Sequence, residues 1–294
     1  MAKTIEAAEA QEAPAGVQGR VTGVLSGLPW WLLIILFLGL IFFVSVRTDA
    51  TYQQIFAFIR EGVIVTLRVT IIAYSISITI GLLAGLGRVS KNPVIYNLVT
   101  VYVQVMRGLP ILVTILYVSF VLLPAVIIAI NGLGEYLASI GLLSEGNTMA
   151  NLGDRSAGLE VSFEARAIIA LAISYGAFSA EIFRAGIESI GRGQMEAARS
   201  LGMNYFQAMR HIILPQAVRR VLPPLGNDFI AMLKESSLVS ALGVQDITQL
   251  GKLYSASSFQ YLKTYNMVAV TYLSMTLLLS LLVKGMEKRL QTDG

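Results

Sequence analysis

The stretch "LPPLGNDFIAMLKESSLVSALGV", Leu222 to Val244, sets Asn227, Asp228, Lys234 and Glu235 into an otherwise apolar run. Asn227 and Lys234 are seven residues apart, as are Asp228 and Glu235. On a helix each pair shares nearly one face, and the two stripes are adjacent. Ionisable groups within a membrane helix are costly and usually face the bundle interior or a wet cavity. Such a face offers a zwitterion both counter-charges; the other reading pairs these groups with protein side chains or leaves them in water at the outer end. Two more sites have the same double reading. Arg107, in "MRGLPILV", is either an attractant for a carboxylate or an interface anchor whose long stem snorkels. Glu181 and Arg184 stand three apart in "AEIFRAG", within helical pairing reach, as a packing salt bridge or a pathway element. His211 reads as a surface helix residue.

Much chemistry is excluded. There is no cysteine and one histidine, which removes disulfides, thiolate nucleophiles and histidine-based metal centres. No G-x-x-x-x-G-K-[ST] run occurs, so the chain cannot cradle a nucleotide in a P-loop. No nucleophile elbow and no convincing catalytic carboxylate pair is present. The expectation is a non-enzyme that binds no cofactor of its own.

Hydrophobic residues make up 55% of the 294 and charged ones 14%, with a mean hydropathy of +0.69. That composition predicts an all-α integral membrane protein. The net charge of +4 comes from short loops beside apolar segments, so lipid rather than nucleic acid is the expected contact. Residues 1–27, rich in Ala, Glu, Gln and Gly, read as a disordered cytoplasmic tail. Residues 28–46 read as a first transmembrane helix, with Trp30 and Trp31 suited to the interface. Five more spans are expected at about 63–86, 94–130, 165–187, 221–244 and 267–283, six in all. The third is too long for one straight crossing and should bend at Met106–Pro110, where Pro110 lacks an amide hydrogen. In the second, Gly81 and Gly85 share a face on which another helix can approach closely.

Arginine and lysine bias gives the orientation. Arg88 and Lys91, the five arginines 192, 199, 210, 219 and 220, and the C-terminal Lys284, Lys288 and Arg289 all fall on one side of a six-span chain. The loop of about 131–164, with five acids against Arg155, fits the outside. Both termini are therefore expected in the cytoplasm.

On the same side lies "QMEAARSLGMNYFQAMRHIILPQA", Gln194 to Ala217. Helical spacing puts Met195, Ala198, Leu201 and Met209 near one stripe and leaves Arg199, Gln207 and Arg210 for water or a partner. Gly202 permits a turn between a first helix ending near Leu201 and a second from about Tyr205 to Ile213, and Pro215 begins the next segment. Glu196-Ala197-Ala198, then Gly202, then Ile212, Leu214 and Pro215 match the EAA loop of ABC-importer permeases at every position of that pattern. The segments Ser174–Ile190, Met106–Val113 and Leu222–Val244 look like the polar amino-acid branch, the histidine, glutamine, glutamate and arginine permeases. The resemblance covers about residues 60–290; the first span looks like an addition to it, and the 131–164 loop is longer than usual in that branch.

The resemblance implies a permease subunit of an ATP-driven importer for polar amino acids, forming half of an alternating-access pathway. It implies that the loop of about 190–215 carries a coupling helix docked on a separate ATPase, with ATP and Mg bound by that partner. Small Ala197 and Ala198 would permit close approach, Glu196 would pair with a basic partner residue, and Gly202 would set the bend. Further expected partners are two ATP-binding subunits, a second permease copy or paralogue, and an extracytoplasmic amino-acid-binding protein. The resemblance leaves Asn227, Asp228, Lys234, Glu235, Arg107 and Glu181 as pathway or gate candidates. The alternative is an autonomous ion-coupled secondary transporter, which should carry inverted repeats with interrupted helices in both halves; none is visible in the sequence.

Overall fold

The computed structural model describes residues 30–142 and 161–292. The expected tail at 1–27 and much of the 131–164 loop lie outside the described residues. The described chain is helical, and it divides into two compact units between Gln53 and Gln54. In the first, α1 (Trp30–Thr48) is apolar along its length. Its Ser45 and Thr48 hydroxyls bond back to the carbonyls of Ile41 and Val44, which hides them from an apolar surrounding.

The other helices are α2 (Ala50–Arg88), α3 (Pro93–Gly108), α4 (Ile111–Tyr117), α5 (Leu123–Ser139), α6 (Phe163–Glu188), α7 (Arg192–Ser200), α8 (Tyr205–Ala208), α9 (Leu214–Glu235), α10 (Ile247–Ser258) and α11 (Tyr261–Thr292). Among the described residues, four segments are long and apolar enough to cross a membrane: Ala50–Arg88, Ile111–Ser139, Phe163–Glu188 and Tyr261–Arg289. The expected third span is two helices. Its break falls at the anticipated place, where Leu109 is extended between Gly108 and Pro110. Helix α5 runs on to Ser139, so the first residues of the expected outer loop are helical.

Two single π turns have the same local cause. Val118–Leu122 precedes Pro124 and Met209–Ile213 precedes Pro215. A proline ring clashes with the carbonyl four residues back, and the wider π turn moves that carbonyl aside without ending the helix. The amides of Leu123 and Leu214 reach back five residues, to Val118 and Met209.

Helix α6 is central. Its buried face is mostly alanine, serine and glycine, the composition that lets membrane helices approach closely where lipid gives no hydrophobic driving force. The main cluster joins Val69 and Ala73 of α2, Ile115 of α4, Leu171 and Tyr175 of α6, Met232 of α9 and Val239 beyond it. A Cβ placed on Gly81 would lie 2.5 Å from the Cβ of Ser179 and 3.1 Å from the Ala180 amide nitrogen. The close approach anticipated from the Gly81/Gly85 spacing is thus the seam between α2 and α6.

Arg68 of α2 grips Glu164 at the start of α6 with two hydrogen bonds of 2.7 Å. The side chains are 52% and 30% exposed, so solvent screens the pair. In a double-mutant cycle of Arg68→Ala and Glu164→Ala the coupling should be about 1 kcal/mol or less. A coupling above about 3 kcal/mol, typical of a buried pair, would contradict this.

Candidate translocation site and docking segment

Helices α6 and α9 pack along each other through polar latches at two levels. Tyr175 donates to Glu235 Oε2 at 2.8 Å, and Ser179 donates to Asp228 Oδ2 at 3.1 Å. Tyr74 of α2 donates to the Leu225 carbonyl at 2.5 Å. Tyr102 fixes α3 to α6 through the Ile173 carbonyl at 2.7 Å. The carboxylate stripe expected on this helix therefore points at α6, whereas Asn227 and Lys234 are exposed. Adjacent stripes on one helix take different surroundings, and a single ligand face with all four groups does not form. The helix itself differs from the expected 221–244 span. It begins at Leu214, ends at Glu235, and passes into a 3-10 segment, Ser236–Leu242.

Near the α6 end that leads into the EAA-type segment, residues of α6 and α9 line a cavity of about 450 Å³. Arg107, Glu181, Arg220 and Asp228 bring two cations and two carboxylates to its wall, with Phe178, Ile182 and Pro224 between them. Arg107 sits over the Phe178 ring, 5.7 Å from its centroid, which fits a cavity-lining role. Glu181 is held by Arg184 through Nε at 3.1 Å and through Nη2, and Arg184 also pairs with Glu188. Arg220 donates to the Ser189 carbonyl. Pro223 and Pro224 lie inside α9 and withhold the amides that would otherwise meet the carbonyls of Arg219 and Arg220. Of the expected pathway residues, Arg107, Glu181 and Asp228 meet in this cavity, while Asn227, Lys234 and Glu235 lie outside its wall. Arg88, Tyr175, Ser179 and Arg220 were not singled out for the site, although the hydroxyls of "SYGAFS" recur at helical spacing on α6.

The EAA-type segment is built from named caps. Helix α7 ends on Gly202 at φ 81°, with its amide on the Arg199 carbonyl at 2.9 Å and the Met203 amide on Ala198 at 3.1 Å. This pair of bonds, one residue inside the other, is a Schellman close. Asn204 then caps α8 reciprocally with Gln207, each bond 2.9 Å. Met195, Met209 and Ile212 pack on Ile190, Ile213 and Ala217, which seats α7 against the base of α9. Ala198 is 3% exposed, so it packs inside this unit, and Ala197 and Glu196 alone of that triplet face outward.

Two features correct the expected arrangement. Leu201 is 82% exposed and so leaves the inward stripe, although its amide keeps the helical bond to Ala197; Phe206 is 81% exposed as well. Pro215 lies in the first turn of α9 as expected, but it does not begin a separate segment. Helix α8, the π turn and α9 are continuous from Tyr205 to Glu235. Leu214 and Pro215 are exposed, and His211 lines a recess with Leu201, Gly202, Met203 and Gln207.

Residues 77–292 match the family described as binding-protein-dependent transport system inner membrane component. The chain is 36% identical over 224 residues to the probable amino-acid permease protein YxeN of Bacillus subtilis, covering 76% of this chain and 87% of that protein. It is 32% identical over 231 residues to the glutamine transport system permease protein GlnP of Escherichia coli, covering 79% and 92%. Among solved structures, an amino acid ABC transporter crystallised with histidines superposes with a TM-score of 0.63 at 34% identity, over 83% of this chain and 97% of that one. The inward-facing MetNI methionine transporter shares the fold at a TM-score of 0.58 and 18% identity, over 79% and 96%. With its latched helical core and its EAA-type segment, the chain belongs to the binding-protein-dependent transport system inner membrane components, the permease subunits of ABC importers.

Proposed function

We propose that this permease imports polar amino acids by alternating access, and that the cavity walled by Arg107, Arg220, Glu181 and Asp228 is part of the route. The observation that carries this reading is the charge set of that cavity. An amino acid presents a carboxylate and an ammonium group in every case, and the wall offers both counter-charges beside an apolar surface. The relatives named for amino-acid or glutamine transport support the substrate class.

The exposed side of α7 and α8, with Glu196, Ala197, Leu201 and Phe206, is the surface that meets the ATPase. Gly202 sets its bend, and Ile212, Leu214 and Pro215 join it to α9. Because Tyr205 to Glu235 is one continuous helix, displacement of the docking segment is passed directly to α9. The Asp228 wall then moves against the Glu181 wall. ATP and Mg belong to the partner, two ATP-binding subunits serve two permease chains, and an extracytoplasmic binding protein delivers substrate. The chain crosses six times with both termini in the cytoplasm; α1 supplies one crossing, and α9 supplies another whose polar residues are shielded by neighbouring helices and a second permease.

Uptake of glutamate, glutamine and arginine in proteoliposomes containing the whole complex tests the role of the wall. Asp228→Lys should raise the glutamate-to-arginine ratio about tenfold, equivalent to ~1.4 kcal/mol of discrimination. A lower maximal rate with an unchanged ratio would show Asp228 to be structural or gating.

A further inference from the structure

Glu181 stands between arginines of two different helices. Arg184 engages its Oε1, whereas Oε2 is buried and accepts no hydrogen bond. Arg88, at the end of α2, places Nη2 3.7 Å from that oxygen, close enough for attraction but too long for a hydrogen bond. The Arg88 side chain is only 11% exposed, and its Nε and Nη1 are buried without a hydrogen-bond partner. Its guanidinium lies 6.0 Å from the centroid of the Tyr96 ring.

Buried donors and acceptors left unpaired are costly. Here the orphaned acceptor faces Nη2 of the same guanidinium whose Nε and Nη1 are unpaired, and closing the Nη2–Oε2 gap to hydrogen-bond length takes a shift of roughly 1 Å. The seam between their helices allows such a movement, since α2 meets α6 across Gly81 and Gly85 without interlocking side chains from those positions. Small sliding of packed helices is an established mode of domain motion. If Glu181 leaves Arg184, that arginine still has Glu188, so the exchange strands no charge. Arg107, Arg220 and Asp228 face the same cavity as its remaining charges.

We infer that Arg88 is a positioning residue for Glu181, and that Glu181 exchanges Arg184 for Arg88 as the cavity between α6 and α9 closes. This rests on the reading of that cavity as part of the route. The two arginines then act in opposite directions. Arg184 holds the arrangement described above, and Arg88 draws the carboxylate toward the closed one.

The absence of cysteine makes the test direct. Ala185 is exposed in the cavity wall, so Ala185→Cys in the full permease–ATPase complex, in nanodiscs, reports opening through its rate of alkylation by a sulfonated maleimide. Arg88→Gln should speed alkylation and Arg184→Gln should slow it, each by about threefold, the scale of a modest coupling energy. Arg88→Lys should restore the parent rate, and in a Glu181→Gln background Arg88→Gln should have no further effect. General damage to packing would move both glutamine variants the same way, and that result overturns the exchange. If the parent rate is identical without nucleotide and with ATP and vanadate, the cavity does not move with turnover, and the route reading fails with it.

Discussion

Gly202→Val combined with Glu196→Lys is expected to lower binding-protein-stimulated ATP hydrolysis by about tenfold or more, the rate equivalent of roughly 1.4 kcal/mol, while the permease still enters the membrane. Gly202 holds φ at 81°, where a β-branched side chain costs about 1–2 kcal/mol and the two Schellman bonds would be lost. Glu196 is exposed on α7, so its reversal leaves the permease core intact and alters only what the partner meets. The contacts that seat α7, through Met195, Met209, Ile212 and Ile213, involve neither residue. Hydrolysis measured in proteoliposomes with the binding protein present checks this, and undiminished stimulation in the double variant would remove the docking role of the segment.

Gly81→Leu should have the second large effect, on folding instead of coupling. The Cβ alone would lie 2.5 Å from the Ser179 Cβ, closer than real structures tolerate, and tight against the Ala180 backbone at 3.1 Å, so α2 and α6 must separate. Overpacking of this kind typically costs about 1–3 kcal/mol, and a backbone obstacle places it at the upper end. Ser179 also carries the hydrogen bond to Asp228, so the displacement reaches the cavity wall. A lowered midpoint in thermal unfolding of the detergent-solubilised protein is the expected result. A wild-type midpoint would show that the seam is looser than described. Gly108, where nothing lies within 4 Å of a built Cβ, provides the control substitution to alanine.

Legibility in the sequence followed the range of the physics. Local chemistry was readable: Pro110 and Gly108 marked the break between α3 and α4, and the Gly81/Gly85 spacing marked the α2–α6 seam. Gly202 marked the end of α7, because a left-handed residue there is a property of a few neighbouring atoms. Pairings between helices were not readable. Nothing within α9 says that Asp228 and Glu235 will meet Ser179 and Tyr175, some 49 and 60 residues earlier, while Asn227 and Lys234 remain exposed. Arg88 looked like a loop charge until the fold carried Glu181 to within 3.7 Å of it. The two π turns were also hidden, since a proline after a helical stretch reads equally well as a stop, and continuation depends on whether the preceding turn can widen. Leu201 keeps the helical bond to Ala197 and is nevertheless exposed, because helical spacing does not say whether another element packs over the closing turn.

The most direct measurement is affinity purification of the tagged permease from its native membrane, followed by reconstitution with its extracytoplasmic binding protein. A P-loop ATPase should co-purify in fixed stoichiometry, and its hydrolysis should rise when the binding protein carries a polar amino acid. Amino-acid uptake by this chain alone, driven by a proton or sodium gradient without an ATPase, would contradict the account.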